Sequence, residues 1–332
     1  MTRLITRSDV EYLQCHPNAG VDAHIAAVAA AYGEMGKGTA RLLGRQSLNT
    51  DPDPQSPRPR SFKILGAALL DAGVMGCVSY PAGYGRPLDF RLLLSSVVSG
   101  EALAIVEGEA VTHWATAAVT AVATRALSNL DSKVLGLIGT GTYAFDQARF
   151  IAHVRELDEI RCYSRNAEKR ADFARRLANK LEGINVRPVG SAAEAADGAD
   201  ILTTVTTAFE PVISSTDIAD GTHLNAIGMH YPRTREIDSE TLRRARFFVD
   251  DIDQTFEEKG EFLIPLAEGA VTEDHLIGDL GSVLANKLEG RRIPEDLTVF
   301  GSGGTAIEYV GVAACLYAAA ETADVGTKLP PA

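Results

Sequence analysis

The chain has 332 residues, 45% hydrophobic and 23% charged, ordinary fractions for a globular protein long enough for two domains. Its net charge of −12 argues against a general nucleic-acid binder or a binder of anionic membranes, because either needs a positive footprint; local basic patches stay open. No run of about 18 apolar residues occurs, the N-terminus has no signal-like apolar core, and Cys15, Cys77, Cys162 and Cys315 form no C-x-x-C pair, so a cytoplasmic protein with reduced thiols, no disulfide framework and no metal site is expected.

In chain order, Ser8-Asp9-Val10-Glu11 reads as a capping box opening a short helix, and Val21 to Leu43 as an alanine-rich helix. Residues 47–59 hold four prolines and read as an extended loop. Lys63 to Leu70, Gly76 to Tyr80, Phe90 to Val98 and Ala102 to Val106 predict strands of a mixed or antiparallel sheet, with a turn at Gly100, and Val111 to Leu127 predicts a buried helix. From Lys133 strands and helices alternate. Val134 to Ile138, Glu159 to Tyr163, Val186 to Pro188, Ile201 to Thr204, His223 to Ile227, Phe247 to Val249 and Thr298 to Phe300 are the strand candidates, and parallel α/β units are the simplest reading. A helix over Ala306 to Ala320 is expected to return to the first domain.

The run Val134 to Ala144 (V-L-G-L-I-G-T-G-T-Y-A) is a strand that breaks into G-x-G-x-x-A and enters a helix. Such a turn offers backbone N–H groups and a helix N-terminus to a pyrophosphate, so Gly139, Thr140, Gly141, Thr142, Tyr143 and Ala144 are candidate contacts to a dinucleotide. The next strand ends in Tyr163-Ser164-Arg165-Asn166. A carboxylate here would suit the ribose of NAD(H), whereas a hydroxyl followed by Arg suits a 2′-phosphate, so NADP(H) is favoured, with NAD(H) open. The bland alternative makes Arg165 a solvated helix-start arginine and Asn166 a helix cap. Thr204 and Thr206, at another strand end, and the glycine turn Ser302-Gly303-Gly304 are further candidates for the cofactor.

The order of S-G-E-A-L-A-I-V-E-G-E-A-V-T-H-W-A-T-A-A (Ser99 to Ala118), V-L-G-L-I-G-T-G-T-Y-A, L-N-A-I-G-M-H-Y-P-R-T-R-E-I-D (Leu224 to Asp238) and L-T-V-F-G-S-G-G-T-A-I-E (Leu297 to Glu308) resembles the ornithine cyclodeaminase/μ-crystallin family over about the whole chain. The resemblance implies an α/β protein in which a Rossmann NAD(P)-binding domain, residues 126–305, is inserted in a discontinuous α+β domain for substrate and dimerisation, residues 1–125 with 306–332. It also implies a homodimer formed through the substrate-domain sheets, and carbon–nitrogen redox chemistry on a small imine or amine. Gly228 and Met229 fall in the family's cofactor-side turn.

The departures narrow the activity. The family's substrate lysine in G-V-K is Met75 here, the arginine before T-A-A is Ala115, beside Trp114, and the catalytic aspartate of ornithine cyclodeaminases is His230. Ornithine is therefore not the expected substrate. His230, after a strand and a glycine turn, is the candidate to move the proton that accompanies hydride transfer, the alternative being a structural histidine; His113 is a weaker candidate. Arg45 and Arg60 compete for a substrate anion together with Arg58. Arg91, inside an apolar strand, is expected to meet Asp89, an interface acid or a ligand, and Lys63 reads as a surface residue or a cavity residue. A cyclic ketimine or the imine of an α-keto acid is the expected substrate class, with a larger or less acidic one left open by the missing cations. The alternatives are a redox-neutral, NAD-holding cyclodeaminase and a non-catalytic binder of NADPH or a small ligand.

Overall fold

The computed structural model describes residues 1–332 except 54–55, 57–58, 86–87, 229 and 331–332. The chain divides into two compact units, Met1–Val119 with Gly304–Ala332, and Thr120–Gly303. The first contains β1 (Arg3–Ile5), α1 (Arg7–Leu13), α2 (Val21–Lys37), β2 (Ala40–Asn49), β3 (Ser61–Leu69), β4 (Val74–Ala82), β5 (Arg91–Ser96), β6 (Ala102–Glu107) and the start of α3 (Glu109–Leu127). The second continues through β7 (Val134–Ile138), α4 (Ala144–Ala152), β8 (Glu159–Tyr163), α5 (Ala167–Ala178), β9 (Asn185–Pro188), α6 (Ala192–Ala196), β10 (Ile201–Thr204), β11 (His223–Ala226), α7 (Ser239–Arg244), β12 (Arg246–Val249), α8 (Ile252–Glu258), α9 (Gly260–Ala267), β13 (Leu276–Asp279), α10 (Leu280–Leu284) and β14 (Thr298–Gly301). The chain then returns to the first unit with α11 (Ala306–Ala323) and β15 (Thr327–Lys328).

In the first unit the strands form one sheet in the order β15-β1-β6-β5-β4-β3-β2, antiparallel except for the β1/β6 pair. The two-residue period of a strand decides which side chains share a face. Ser61, Lys63, Leu65, Ala67 and Leu69 of β3 are buried, while Phe62 and Ile64 are exposed. Across the β3/β4 ladder Lys63 stands opposite Tyr80 and Ala68 opposite Met75. Tyr80 and Met75 are five residues apart in one strand and therefore point to opposite faces. Helix α11 packs on β3 and β4.

Two boundaries differ from the sequence reading. Helix α2 stops at Lys37 because Gly38 takes a left-handed conformation (φ 84°) and its N–H returns to the carbonyls of Glu34 and Met35; residues 40–43, expected helical, and 47–49, expected in the loop, are part of β2. The first capping box is Thr6 with Asp9, not Ser8 with Glu11: the Thr6 N–H donates to Asp9 Oδ2 at 2.9 Å and the Asp9 N–H to Thr6 Oγ1 at 3.4 Å.

In the second unit eight strands run parallel in the order β13-β12-β14-β11-β10-β7-β8-β9. The inner strands of such a sheet are buried on both faces; every residue of β10, β11 and β14 is buried, the polar ones included. The chain runs outward from β7 to β8 and β9, then crosses to β10 on the other side of β7. That reversal is the topological switch point, where open parallel sheets bind ligands at their carboxyl ends. The register brings Ile138, Thr204, Ala226 and Gly301 into one row there.

Candidate functional site

The glycine-rich turn starts directly at this row. Gly139 has φ 114°, and a Cβ on it would lie 2.4 Å from the Val205 carbonyl oxygen, so both conformation and close approach exclude a side chain. Gly141 is different: a Cβ there would meet nothing within 4 Å, which leaves room for a ligand beside the start of α4. The Thr140 hydroxyl donates to Ser164 Oγ at 2.7 Å and ties the turn to the end of β8. Thr142 is exposed, Tyr143 is the N-cap of α4 and Ala144 is its buried first residue. Backbone amides at a helix start with no side chain above them fit a dinucleotide pyrophosphate.

Beyond β8, Arg165 is exposed and makes no hydrogen bond or ion pair with another described residue. Asn166 caps α5 by accepting from the Lys169 N–H at 2.8 Å, the plainer of its two expected roles. Arg170 lies over the Tyr163 ring, 5.5 Å from its centroid, and donates to the Ser164 carbonyl at 2.7 Å.

The carboxyl ends of β10 and β11 are joined by a residue that the sequence reading did not single out. Glu236, completely buried, accepts from Thr204 Oγ1 at 3.0 Å, from the Thr206 N–H at 2.6 Å and from the Gly228 N–H at 2.7 Å. The Thr204 hydroxyl, expected to face the cofactor, is spent inside the protein because Glu236 needs it. Gly228 is a packing glycine, since a Cβ would lie 2.3 Å from the Thr206 carbonyl oxygen. Burial and then the neighbouring Glu261 push Glu236 up to about 7. Glu261 accepts from the Glu236 N–H at 3.2 Å and pairs with Lys259 at 3.5 Å, and Lys259 Nζ donates to the carbonyls of Ala226 at 3.1 Å and Ser302 at 2.7 Å. The turn after β14 is held similarly: Ser302 Oγ and the Gly303 N–H donate to buried Asp250 Oδ2 at 2.9 and 2.7 Å, so the Ser302 hydroxyl also has an internal task. His230 is half-buried and stacks on Tyr231, with ring centroids 4.7 Å apart; its Cβ lies 3.7 Å from where a Cβ on Gly303 would sit. Met229 lies outside the described residues.

A second polar cluster lies in the first unit. Arg45, in the irregular part of the β2/β3 ladder, is buried and donates from Nη2 to the Gly304 carbonyl at 2.6 Å. A Cβ on Gly304 would meet the Tyr309 hydroxyl at 2.7 Å, Arg45 Nη2 at 3.5 Å and Glu308 Oε1 at 3.6 Å. Tyr32 donates to Glu308 Oε2 at 2.9 Å. Tyr309 packs edge-on against Phe90, and Phe90 stacks on Tyr80, the cross-strand partner of Lys63. Lys63 is 3% exposed, so it is not the surface lysine that the sequence allowed. Ser61, two residues before it on the same face, has a buried hydroxyl without a hydrogen-bond partner among the described residues.

The other anticipated substrate residues are elsewhere. Met75 is on the sheet face opposite Lys63 and Tyr80. Arg91 shares that outer face; its side chain is 55% exposed and pairs with Asp89 at 3.1 Å, the first of its expected partners, and with Glu107 at 3.3 Å. Arg60 pairs with Asp51 at 3.6 Å at the neck of the proline-rich loop; Arg58 lies outside the described residues. Trp114 is buried with its ring edge-on to His24, centroids 4.8 Å apart, and His113 approaches Glu109 at 3.7 Å.

An eight-stranded parallel sheet with its switch point beside this turn defines a Rossmann-type nucleotide-binding unit. The ornithine cyclodeaminase/mu-crystallin family model matches residues 83–324, and the chain belongs to that family. A Delta(1)-pyrroline-2-carboxylate reductase of Bacillus cereus is 33% identical over 245 residues, 74% of this chain and 75% of the relative. The structure of Thermococcus litoralis Delta(1)-pyrroline-2-carboxylate reductase in complex with NADH and L-proline matches with a TM-score of 0.90 and 31% identity, covering 99% of this chain and all of that one. An archaeal alanine dehydrogenase dimer with bound NAD matches with a TM-score of 0.89 and 27% identity, covering 99% of each chain.

Proposed function

We propose that this protein is an NAD(P)H-dependent oxidoreductase of carbon–nitrogen bonds that reduces a small cyclic imino acid of the Δ1-pyrroline-2-carboxylate class, with NADPH preferred to NADH. The observation that supports the substrate class is that two cations of the first unit are buried, Arg45 beside Gly304 and Tyr309 and Lys63 opposite Tyr80: a carboxylate is the group that such cations recognise, Arg by a planar fork and Lys as a point charge. Loss of the family lysine at Met75 therefore does not remove carboxylate recognition. The Rossmann unit holds the dinucleotide at Gly139–Ala144, with Arg165 on the 2′-phosphate. When bound, the reduced nicotinamide supplies the hydride that turns the C=N carbon into an amine carbon. His230 or a water molecule gives the proton to the imine nitrogen, so that one hydride and one proton account for the product.

The same reading includes a homodimer. The outer face of the first unit's sheet leaves Leu43, Leu48, Phe62, Ile64 and Leu93 exposed, an apolar patch of the kind that marks an association surface, and the related archaeal alanine dehydrogenase is a dimer. None of the four cysteines is bridged and two are exposed, which suits the reducing cytoplasm. Among the described residues no helix is long and apolar enough to cross a membrane.

The test is NADPH consumption with a panel of cyclic imino acids, open-chain α-imino acids and imines lacking a carboxylate. Turnover confined to carboxylate-bearing cyclic imines is expected. Equal turnover of imines without the carboxylate removes the role of Arg45 and Lys63, and tight NADPH binding without turnover on any of them contradicts an enzyme.

A further inference from the structure

Buried Glu236 and its neighbours form a polar network under the carboxyl ends of the parallel sheet. Its carboxylate is the shared acceptor for a hydroxyl and an amide at the end of β10 and an amide at the end of β11. Through Glu261 it continues to Lys259, whose ammonium holds the last carbonyl of β11 and the Ser302 carbonyl beyond β14. Three adjacent strand ends, those facing the nicotinamide side of a Rossmann site, are thus fixed by one charged network.

We propose that Glu236 is the positioning residue of this rim, and that the dinucleotide binds the form in which the Glu236 carboxylate is ionised. All three of its partners are donors. A carboxylate accepts them together, two on Oε2 and one on Oε1; protonation removes the charge that strengthens all three bonds, and on Oε2 it would set an O–H against a donor, so the hold on the two strand ends loosens. Completely buried groups have no water to take over the lost bond.

The balance lies near neutrality. Burial and Glu261 oppose ionisation, while the three hydrogen bonds favour it, and Lys259 offsets the charge of Glu261 at 3.5 Å. The charged groups packed on Glu236 are Glu261 and, behind it, Lys259; β10 and β11 present Thr204, Thr206 and Gly228, which do not titrate there. On its own segment Arg235 is committed to Glu268 at 3.1 Å, and Asp238 caps α7. His230, an imidazole two residues beyond Gly228, needs its own control.

The inference rests on the Rossmann unit binding a dinucleotide, and the experiment separates the two. NADH is the probe, because the 2′-phosphate of NADPH would itself titrate near pH 6. Its Kd is measured by nicotinamide fluorescence from pH 6 to pH 8 for the full-length protein, Glu236→Gln, Glu261→Gln and His230→Ala. If only the ionised form binds, the competent fraction at pH 6 is about one tenth of that at pH 8, so the wild-type Kd is about tenfold weaker at pH 6. Glu236→Gln is expected to flatten the profile and His230→Ala to leave it. Glu261→Gln, which keeps the three hydrogen bonds but removes the opposing charge, is expected to move the midpoint to lower pH; it carries the test if Glu236→Gln does not fold. A flat wild-type profile, or a wild-type profile retained in Glu236→Gln, or an unmoved midpoint in Glu261→Gln, overturns the proposal. No NADH binding at any pH overturns the nucleotide reading and this inference with it.

Discussion

Gly139 and Gly141 belong to one turn, yet replacing each by alanine should have opposite consequences. At Gly139 the added Cβ would sit 2.4 Å from the Val205 carbonyl oxygen and 3.3 Å from Thr206 Cγ2, at φ 114°. A side chain in such a backbone region costs roughly 1–3 kcal/mol, and overpacking against a strand end adds about 1–3 kcal/mol. At roughly 2–4 °C per kcal/mol for a unit of this size, the melting temperature of Gly139→Ala should fall by about 5–20 °C. Gly141→Ala meets no atom within 4 Å and needs no unusual φ. Its stability should be unchanged or raised by about 0.4–1 kcal/mol through the unfolded chain, while its methyl group occupies the space of the pyrophosphate and weakens NAD(P)H binding at least about tenfold, or 1.4 kcal/mol. Differential scanning calorimetry of the ligand-free variants, with fluorescence titration of each, separates the effects. A Gly141→Ala protein that binds NADPH as tightly as wild type would refute the assignment of that open space to the cofactor.

Three further outcomes follow from the same residues. Arg165→Ala should weaken NADPH about 10- to 100-fold, the worth of a charge-assisted hydrogen bond of roughly 1.5–3 kcal/mol, and leave NADH unchanged; equal effects on both would remove the 2′-phosphate role. Arg45→Ala and Lys63→Met should each raise KM for the imino acid by about the same factor, whereas Met75→Leu, on the opposite sheet face, should leave KM alone. Burial lowers His24 to about 4 and His223 to about 3. Both are below the unfolded value near 6.5, so their stability contribution is complete above pH 6.5 and declines as pH falls toward those values, by up to a few kcal/mol. Glu236 acts in the opposite sense: it is raised to about 7, so its contribution is fullest below about 4.5 and is lost as pH rises to 7. Urea unfolding at pH 5 and pH 7 should therefore show Glu236→Gln gaining stability relative to wild type as pH rises.

The parallel sheet was legible because short runs with buried apolar residues, V-L-G-L-I of β7 and the alternating E-I-R-C-Y of β8, are bounded by turn residues: β7, β8 and β10 lie where the sequence placed them. The N-terminal sheet was less so. Leu42 and Leu43 continue the helical spacing of α2, and only the left-handed Gly38 ends it. The parity of β4 was readable in principle, since Gly76, Val78 and Tyr80 alternate with Met75, Cys77 and Ser79, but a family motif drew attention to Met75. Lys63 likewise shares its parity with Ser61, Leu65 and Ala67. Glu236, Lys259 and Glu261 had no local signal. In R-T-R-E-I-D and E-K-G-E they look like surface charges, and only the convergence of β10, β11 and α9 buries them.

The most direct measurement is reduction of Δ1-pyrroline-2-carboxylate with NADPH deuterated at nicotinamide C4 on each face in turn, followed by mass spectrometry of the amino acid formed. Stoichiometric transfer of deuterium from one of the two faces to the α-carbon, with one NADPH consumed per product, is the predicted result. Ammonia release from a diamino acid without net NADPH consumption, or binding of NADPH with no labelled product from any cyclic imino acid, would contradict it.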